Sequence, residues 1–365
     1  MEFIRVEDCC EILDSQRKPI TESERVPGRY PYYGANGIQG TINQYIFDDK
    51  LVLVAEDGGH FGSKTKPIAY LVNGKCWVNN HAHVLRAKKG FLAEYICYSL
   101  MFYKIEGYIN GATRQKLTQA ALRKLIIPKR PEEYQKAIVD RLDSVKCIIE
   151  KKQDLINELD ILIKSRFVEL FGDVVLNTLN WPLVKLSDIA EYRIGLTYKP
   201  EAVSSSGIAV LRSGNIQNSQ LCYEDTIYVN SKVESKLLLK KHDILMCARN
   251  GSQSLVGKVA LIENDISNTT YGAFMMAISS KYYVYLLEYF RSQAFRRLIS
   301  VGATTTINQV TTRMLNSIVI PLPDMNTINR FALYHSQINK LKFDIQKSID
   351  ETQLLMDSLM QEYFG

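Results

Sequence analysis

The stretch YQKAIVDRLDSVKCIIEKKQDLINELDILIKSRFVELF, Tyr134 to Phe171, contains no Gly or Pro. Its positions 138, 142, 145, 149, 152, 156, 159, 163, 166 and 170 step by four and three. They read Ile, Leu, Val, Ile, Lys, Ile, Leu, Ile, Arg, Leu, eight apolar residues in ten. That spacing predicts a coiled-coil seam of period 3.5. Moved on by 193 (331 − 138), the same positions read Phe331, His335, Ile338, Lys342, Ile345, Ile349, Thr352, Met356, Leu359 and Tyr363. The register therefore recurs at the end of the chain. At about 1.5 Å per residue, a helix of roughly 38 residues is nearly 60 Å long. A narrow apolar stripe of that length needs a partner, and the obvious one is the other copy, packed antiparallel.

Outward from the seams, both copies close on Phe-Gly, at Phe171-Gly172 and Phe364-Gly365, and both follow an Ile-Pro, at Pro128 and Pro321. The last 172 residues are thus expected to repeat the first 172 at an offset of 193 (365 − 172). Copies of this size are two similar modules rather than solenoid repeats of about 20–50 residues. The boundaries expected are a first globular domain over 1–130, a helix over 131–172, a second domain over 173–322 and a C-terminal helix over 323–365. In the first domain Tyr45–Phe47, Leu51–Ala55, Ile68–Val72 and Cys76–Val78 read as short strands separated by turns, with Asp48-Asp49 a solvated turn, and Leu92–Met101 reads as a helix. In the second, Ile244–Ala248, Val256–Leu261 and Ala273–Ile278 read as strands and Tyr285–Phe290 as a helix. The fold class expected is α+β: two similar α/β domains joined by two long antiparallel coiled-coil helices with a pseudo-twofold.

Charge follows the same division. Residues 1–130 hold 19 Lys+Arg against 13 Asp+Glu and residues 173–322 hold 15 against 11, whereas the helical segments hold 7 against 9 and 4 against 6. Basic globular parts and acidic helices are what results if only the globular parts touch a polyanion. The seven cysteines are odd in number and without CxxC spacing, which points to reduced thiols rather than a disulfide frame or zinc ribbon. The first eight residues carry acids where a secretory signal would be basic and then apolar, and no apolar run approaches the roughly 20 residues of a membrane span. A cytoplasmic location without membrane contact is expected.

Catalytic constellations are missing from the sequence. The nearest approach to a phosphate-binding loop, Gly251 to Gly257-Lys258-Val259, has the wrong spacing and no hydroxyl after the lysine. Neither a methyltransferase cofactor loop with its Asn/Asp-Pro-Pro-aromatic tetrapeptide, nor Gly-x-Ser-x-Gly, nor His-Glu-x-x-His is present. His81-Ala82-His83, with His60, could offer imidazoles to a metal, but the second copy has no histidine at the matching stretch, and polar or nucleic-acid-facing roles are favoured. No metal and no catalytic residue is assigned. Tyr32 and Tyr33, beside Gly34, are expected to be exposed.

At the ends of the globular parts stand Gly111-Ala112-Thr113-Arg114-Gln115-Lys116-Leu117-Thr118, then Leu125-Ile126-Ile127-Pro128, and again Gly302-Ala303-Thr304-Thr305-Thr306-Ile307-Asn308-Gln309, then Ile318-Val319-Ile320-Pro321. With Tyr32-Tyr33-Gly34-Ala35-Asn36-Gly37, Leu211-Arg212-Ser213-Gly214-Asn215 and the Trp181-Pro182 opening of the second part, the whole chain resembles the specificity subunits of type I restriction-modification systems. The start of each helix departs from the family's usual Pro-Pro and Glu-Gln pairs, reading Pro131-Glu132-Glu133-Tyr134-Gln135 and Pro323-Asp324-Met325-Asn326. The resemblance implies a non-catalytic subunit that grips double-stranded DNA, each domain reading one half of a bipartite asymmetric site. It implies helices that set the spacer, two methyltransferase subunits docked on them, and restriction subunits that join with nuclease and translocase. S-adenosylmethionine, ATP and Mg are implied on those partners only. Two alternatives are a coiled-coil scaffold with non-specific DNA binding and the specificity subunit of a related type IIB/IIG-like enzyme.

Under this resemblance the DNA contacts are expected on turns where the copies differ. In the first domain these are Asn36, His60, Lys64, Lys66, Arg114 and Lys116; in the second, Arg212, Asn215, Arg249, Asn250, Gln253, Lys258 and Thr305. Arg and Asn suit paired hydrogen bonds to guanine and adenine edges, while Lys and Thr suit phosphates.

Overall fold

The computed structural model describes residues 2–111, 115–301 and 308–365. By contacts the chain divides into two compact units, Met1–Asp154 with Gln346–Gly365, and Leu155–Ile345. Each unit holds one globular part together with stretches of two long helices.

The first unit runs β1 (Phe3–Arg5), α1 (Val6–Cys9), β2 (Cys10–Ile12), β3 (Tyr30–Gly34), β4 (Gly37–Ile42), β5 (Phe47–Ala55), β6 (Ala69–Val78), β7 (Ala82–Ala87), α2 (Ala93–Met101), β8 (Ile109–Asn110), β9 (Lys116–Leu117), α3 (Gln119–Lys124), β10 (Ile126–Pro128) and the start of α4 (Glu132–Phe171). Its main sheet has the order β2-β7-β5-β6-β3-β4, with β3 parallel to β6 and the other neighbours antiparallel. Strand β5 is central because Leu51–Ala55 is apolar on both faces and fully buried.

The second unit continues with β11 (Leu183–Lys185), α5 (Leu186–Ile189), β12 (Glu191–Ile194), β13 (Val203–Ser204), β14 (Ile208–Leu211), β15 (Ile216–Gln217), β16 (Gln220–Leu221), β17 (Ile227–Val229), β18 (Ile244–Cys247), β19 (Val259–Leu261), β20 (Thr269–Tyr271), β21 (Met275–Ser279), α6 (Tyr283–Arg291), α7 (Gln293–Val301), α8 (Thr312–Ser317), β22 (Val319–Pro321) and the start of α9 (Met325–Phe364). Two four-stranded sheets, β12-β21-β18-β19 and β13-β17-β14-β20, take the place of the single larger one. The topology is otherwise kept. Strand β14 pairs in parallel with β20 as β3 does with β6, so the long β6 corresponds to β19 and β20 with residues 262–268 between them.

Each globular part is closed by its own first and last strands. Phe3 faces Pro128 in β1–β10, and Leu183 faces Pro321 in β11–β22. The two proline carbonyls accept the Tyr95 and Tyr285 hydroxyls at 2.9 and 2.5 Å. Thr118 and Thr311 cap α3 and α8 by accepting the amides of Ala121 and Met314. These matches correct the expected uniform repeat. The closing strands are 193 residues apart (321 − 128) but the opening strands only 180 (183 − 3), so the second copy is longer by 13, the added residues falling between β14 and β18, where β15–β16 lie.

Three local expectations are corrected as well. Tyr45-Ile46 precedes the strand, and Asp48-Asp49 lies inside β5 rather than in a turn, because Asp48 and Asp49 pair across the ladder with Lys75 and Gly74. The runs 68–72 and 76–78 are one strand, β6, carried through Asn73-Gly74. In the second unit residues 253–255 form a 3₁₀ turn, and the strand begins only at Val259.

Within the first unit the start of α4 packs against the end of α9: Arg141 donates to the Tyr363 hydroxyl at 3.1 Å, and the Lys152 ammonium donates to Ser348 Oγ, Thr352 Oγ1 and the Ser348 carbonyl at 2.7, 2.8 and 3.1 Å. Within the second, Lys342 pairs with Asp160 at 2.5 Å and the Phe167 ring meets Phe331 at 5.6 Å. Rising numbers on α4 meet falling numbers on α9 in both units, so the helices run antiparallel. Of the seam positions, Ile138, Leu142, Val145, Leu159, Ile163, Phe331, Ile338 and Ile349 are buried. The Phe-Gly ends have a local cause. Gly172 adopts φ +71 beyond the last turn of α4, where its amide donates to the Val168 carbonyl at 2.8 Å, a left-handed cap that glycine adopts without strain. Phe171, 1% exposed, packs on Phe167, Tyr285 and Phe331 at 4.9, 5.0 and 5.2 Å, and in the first unit Phe364 meets Tyr95 at 5.3 Å. Phe171→Ala is expected to lower the unfolding free energy by about 3–5 kcal/mol. A fall in the urea midpoint at unchanged m-value measures it; a cost under about 1 kcal/mol would show that the aromatic cluster does not anchor the helix.

Candidate nucleic-acid interface

In the first unit the strand β5 delivers Glu56-Asp57-Gly58 to one end of the sheet, next to the hairpin β8–β9 that flanks the Gly-rich motif. Asp57 forms an antiparallel bridge with Lys116, and the Leu117 amide donates to the Glu56 carbonyl at 2.7 Å. Asn36, on the β3–β4 turn, donates to the Gly58 carbonyl at 2.9 Å. His81 Nδ1 lies 2.7 Å from Asp57 Oδ1. Of the expected contacts, Asn36 and Lys116 therefore share one edge, while His60, Lys64 and Lys66 follow in the adjoining loop with both lysines exposed. Arg114 falls outside the described residues. His81, for which the sequence favours a polar or nucleic-acid-facing role, joins this edge through Asp57, the turn residue just beyond β5.

Behind that edge is a buried ionic network. Asp14 Oδ2 lies 2.6 Å from His83 Nδ1, and His83 Nε2 donates to the Leu117 carbonyl at 2.8 Å. Arg17 donates to Glu56 at 2.6 Å, and Lys116 reaches the other oxygen of Glu56 at 2.9 Å. Gln119 and the Val84 amide complete the shell of Asp14 at 3.0 and 2.9 Å. Burial opposes ionisation of both acids, but bonds from His83, Val84 and Gln119 hold Asp14 below its ordinary value, and Lys116 and Arg17 do the same for Glu56. Asp14, Glu56 and His83 have ligand atoms within 4.8 Å of one another, the only grouping among the described residues with metal-ligand geometry. Their lone pairs and protons are already engaged by Arg17, Lys116 and Leu117, so the donor set fits a closed ion-pair network rather than a dication. The histidine pair is thus divided, His83 in the core and His81 on the edge.

The second unit builds the same edge from other side chains. Arg249 bridges Gln309, and the Val310 amide donates to the Ala248 carbonyl at 2.7 Å. Asn250 donates to Ser213 Oγ at 3.1 Å, and Asn308 to the Gly251 carbonyl at 3.2 Å. The Arg249 guanidinium lies over the Phe274 ring, 5.3 Å from its centre. Arg249 occupies the bridging place of Asp57, one residue earlier than simple alignment puts it. Arg212 and Gln253 are exposed nearby. Asn215 is buried, its amide spent on the carbonyl of Cys222 and its oxygen on the amide of Arg212. Lys258 donates to the Ile216 carbonyl at 2.7 Å. Thr305 falls outside the described residues. Asn308 and Gln309, which close the stretch that begins at Gly302, and the exposed Phe274 join this edge beyond the expected contacts.

The expectation that Tyr32 and Tyr33 are exposed is corrected. Tyr32 is 1% exposed, its hydroxyl bonded to the backbone of Ile20, and Tyr33 is half-buried with its ring tilted against Tyr70 at 5.8 Å, because β3 is an inner strand with β6 and β4 on either side.

A family model described as the type I restriction modification DNA specificity domain matches residues 1–160 and 179–361. A putative type I restriction enzyme specificity subunit of Haemophilus influenzae is 28% identical over 273 residues, covering 73% of this chain and 69% of that protein. The MjaVIII specificity subunit of Methanocaldococcus jannaschii is 22% identical over 377 residues, covering 93% and 86%. Among solved structures, the type I restriction-modification S subunit of M. genitalium superposes with a TM-score of 0.57 at 14% identity, over 100% of this chain and 96% of that one. That likeness is one of fold.

The network behind the first edge makes a pH prediction. Folded-state values of Asp14 and Glu56 lie below their ordinary 3.8 and 4.5, so their stabilisation is present above that range and lost as pH falls through the depressed values. The melting temperature should drop steeply below about pH 4. Asp14→Asn should cost about 3 kcal/mol at neutral pH and flatten the acid limb. An unchanged acid limb would mean that other carboxylates govern it.

Proposed function

The chain belongs to the family of type I restriction-modification DNA specificity domains, and on that premise we propose that each globular part reads one half of a bipartite DNA site through the edge described above. The observation that carries this reading is the pairing of one framework with two sets of side chains at the strand ends: exposed Asn36 and Lys116 with half-buried Asp57 in one copy, exposed Arg212 and Arg249 with half-buried Asn250 in the other. In both, the β5-type turn is clamped between the turn after β3 or β14 and the segment after the Gly-rich motif. A clamped turn holds its donors in fixed directions, as base-edge readout demands. Arg249 and Asn250 are the base readers by chemistry. Lys64 and Lys66 suit phosphates, with His60 beside them in the same loop. Asn215 and Lys258 act from behind, as supports.

The helices supply the spacer and the docking surface for partners. Ile148 and Leu341, Ile161 and Leu354, and Leu162 and Leu355 are each 193 residues apart, and all six are 46–69% exposed. Apolar residues left in water at repeated positions off the seam mark a docking patch present twice. Two copies of one partner fit it, and the family points to methyltransferase subunits, with restriction subunits joining them. This chain is then a non-catalytic reader. No helix among the described residues is long and apolar enough to cross a membrane, and a cytoplasmic location follows the DNA substrate.

Sequencing methylated sites in cells with and without the gene tests the reading: a split motif should disappear with the gene. Inserting seven residues at matching places in both helices keeps the seam and adds about 10 Å, near three base pairs, to the gap while both half-sites stay unchanged. Altered half-site letters with an unaltered gap would refute the spacer role. Arg249→Ala should cost about 1–3 kcal/mol of discrimination at one position of one half-site only, seen as relaxed methylation there.

A further inference from the structure

A cleft of about 940 Å³ opens at one end of the sheet β12-β21-β18-β19, lined by Arg193, Lys236, Lys240, Lys241, His242 and Lys281 among others. It lies away from the reading edge. Ile244 pairs with Ile278 and Cys247 with Met275, which puts Asp243 and Ser279 at one end of these strands and Arg249 and Phe274 at the other. Four residues at about 3.3 Å separate the two ends.

The cleft has a rigid floor. Arg193 donates to Asp243, to Ser279 Oγ at 2.9 Å, and to the carbonyls of Lys236 and Leu238 at 2.7 and 3.2 Å. Asp243, 2% exposed, also accepts Ser279 Oγ at 2.6 Å and the Lys240 amide at 2.9 Å. The buried acid is thereby neutralised and the loop over 236–243 pinned. His242 is held at φ +71, stacked on Tyr283 at 4.1 Å. Lys236 pairs with Glu234 at the surface, but Lys240, Lys241 and Lys281 enter no ion pair among the described residues. The remaining acids of the lining are Asp188 and Glu191.

The first copy shows that this is not a requirement of the fold. Lys240-Lys241-His242 stands where the first copy has Phe47-Asp48-Asp49, offset 193 (240 − 47). There Asp49 takes Arg86 at 2.5 Å, Arg86 also holds Glu11 at 3.0 Å, and Asp48 faces Lys75 at 3.9 Å. One copy neutralises this end of the sheet from within; the other leaves it cationic.

We propose that the cleft is a binding site for a phosphoryl group, held by the ammonium groups of Lys240, Lys241 and Lys281. Ammonium groups are compact point charges suited to phosphate, whereas the planar guanidinium that would fork a carboxylate is already spent inside the floor. The phosphoryl group comes from a nucleotide or from the DNA backbone. The test is calorimetric titration of the full chain with inorganic pyrophosphate at low salt, in wild type and in K240A/K241A/K281A. The variant should bind at least tenfold more weakly. No binding by wild type, or equal binding by both, overturns the site. K241D/H242D, which installs the acids of the first copy, should show the same loss and serves if the triple variant fails to fold. Competition then identifies the source. Displacement by non-target duplex, with a salt slope smaller by about three in the triple variant, assigns the backbone. Displacement by ATP with duplex binding unchanged assigns a free nucleotide, and displacement by neither refutes phosphoryl recognition. Arg249→Ala leaves pyrophosphate binding intact, so failure here is separable from failure of the DNA-reading role.

Discussion

A helix of 40 residues with a narrow apolar stripe has to bury that stripe, and here each long helix does so on the other. The rest of the architecture follows from this need. The stripe is not uniformly apolar: Lys152 places its charge among three neutral oxygens, and Lys342 places its charge on Asp160. Polar groups in a seam tie it to the register in which they are satisfied, since any other leaves a charge facing hydrocarbon. The positions matching Lys152 and Ser348 by the repeat are Ile345 and Leu155, so the seam treats the two helices as complementary rather than interchangeable.

Framework and chemistry are assigned to different parts of each globular fold. Residues that decide topology, such as Leu51–Ala55 in the central strand and the proline carbonyls that accept Tyr95 and Tyr285, serve the same purpose in both copies. Residues at the strand ends do not. The first edge is backed by a buried ionic network, the second by the bond from the Lys258 ammonium to the Ile216 carbonyl and by the Arg249 guanidinium over Phe274. Divergence of side chains over one backbone is what a reader of two unlike half-sites requires.

The seam was legible in the sequence because its signal is periodic and long: a count of four and three reaches Ile138, Leu142, Val145, Leu159 and Ile163 on α4, all buried, and misses only residues such as Val139, Phe167 and Phe171 that are buried beside it. The mixed α/β class and the α2 and α6 helices were legible for the same reason. Strand limits were not, because Asp48-Asp49 and Asn73-Gly74 look like turns one strand at a time and become a ladder only when β5 meets β6. Tyr32 looked exposed beside a glycine, yet strand order decides burial, and order is a non-local property. The site was partly legible. Asn36, Lys116, Arg249 and Asn250 do come to the two edges, but Asn215 and Lys258 turn inward to carbonyls that no local pattern announces. The network of Asp14, Arg17, Glu56 and His83 joins residues up to 69 positions apart and has no spacing to read.

The strand pairs β1–β10 and β11–β22 bring the first and last residues of each globular part to neighbouring positions, about 4.8 Å apart. A fold whose ends meet in this way behaves as an insertion in its host: it can be exchanged whole without altering the path of the chain on either side. If each globular part reads one half-site as proposed, exchange of the segment between these two joints would swap one half of what is read and leave the other half, and the helices, untouched.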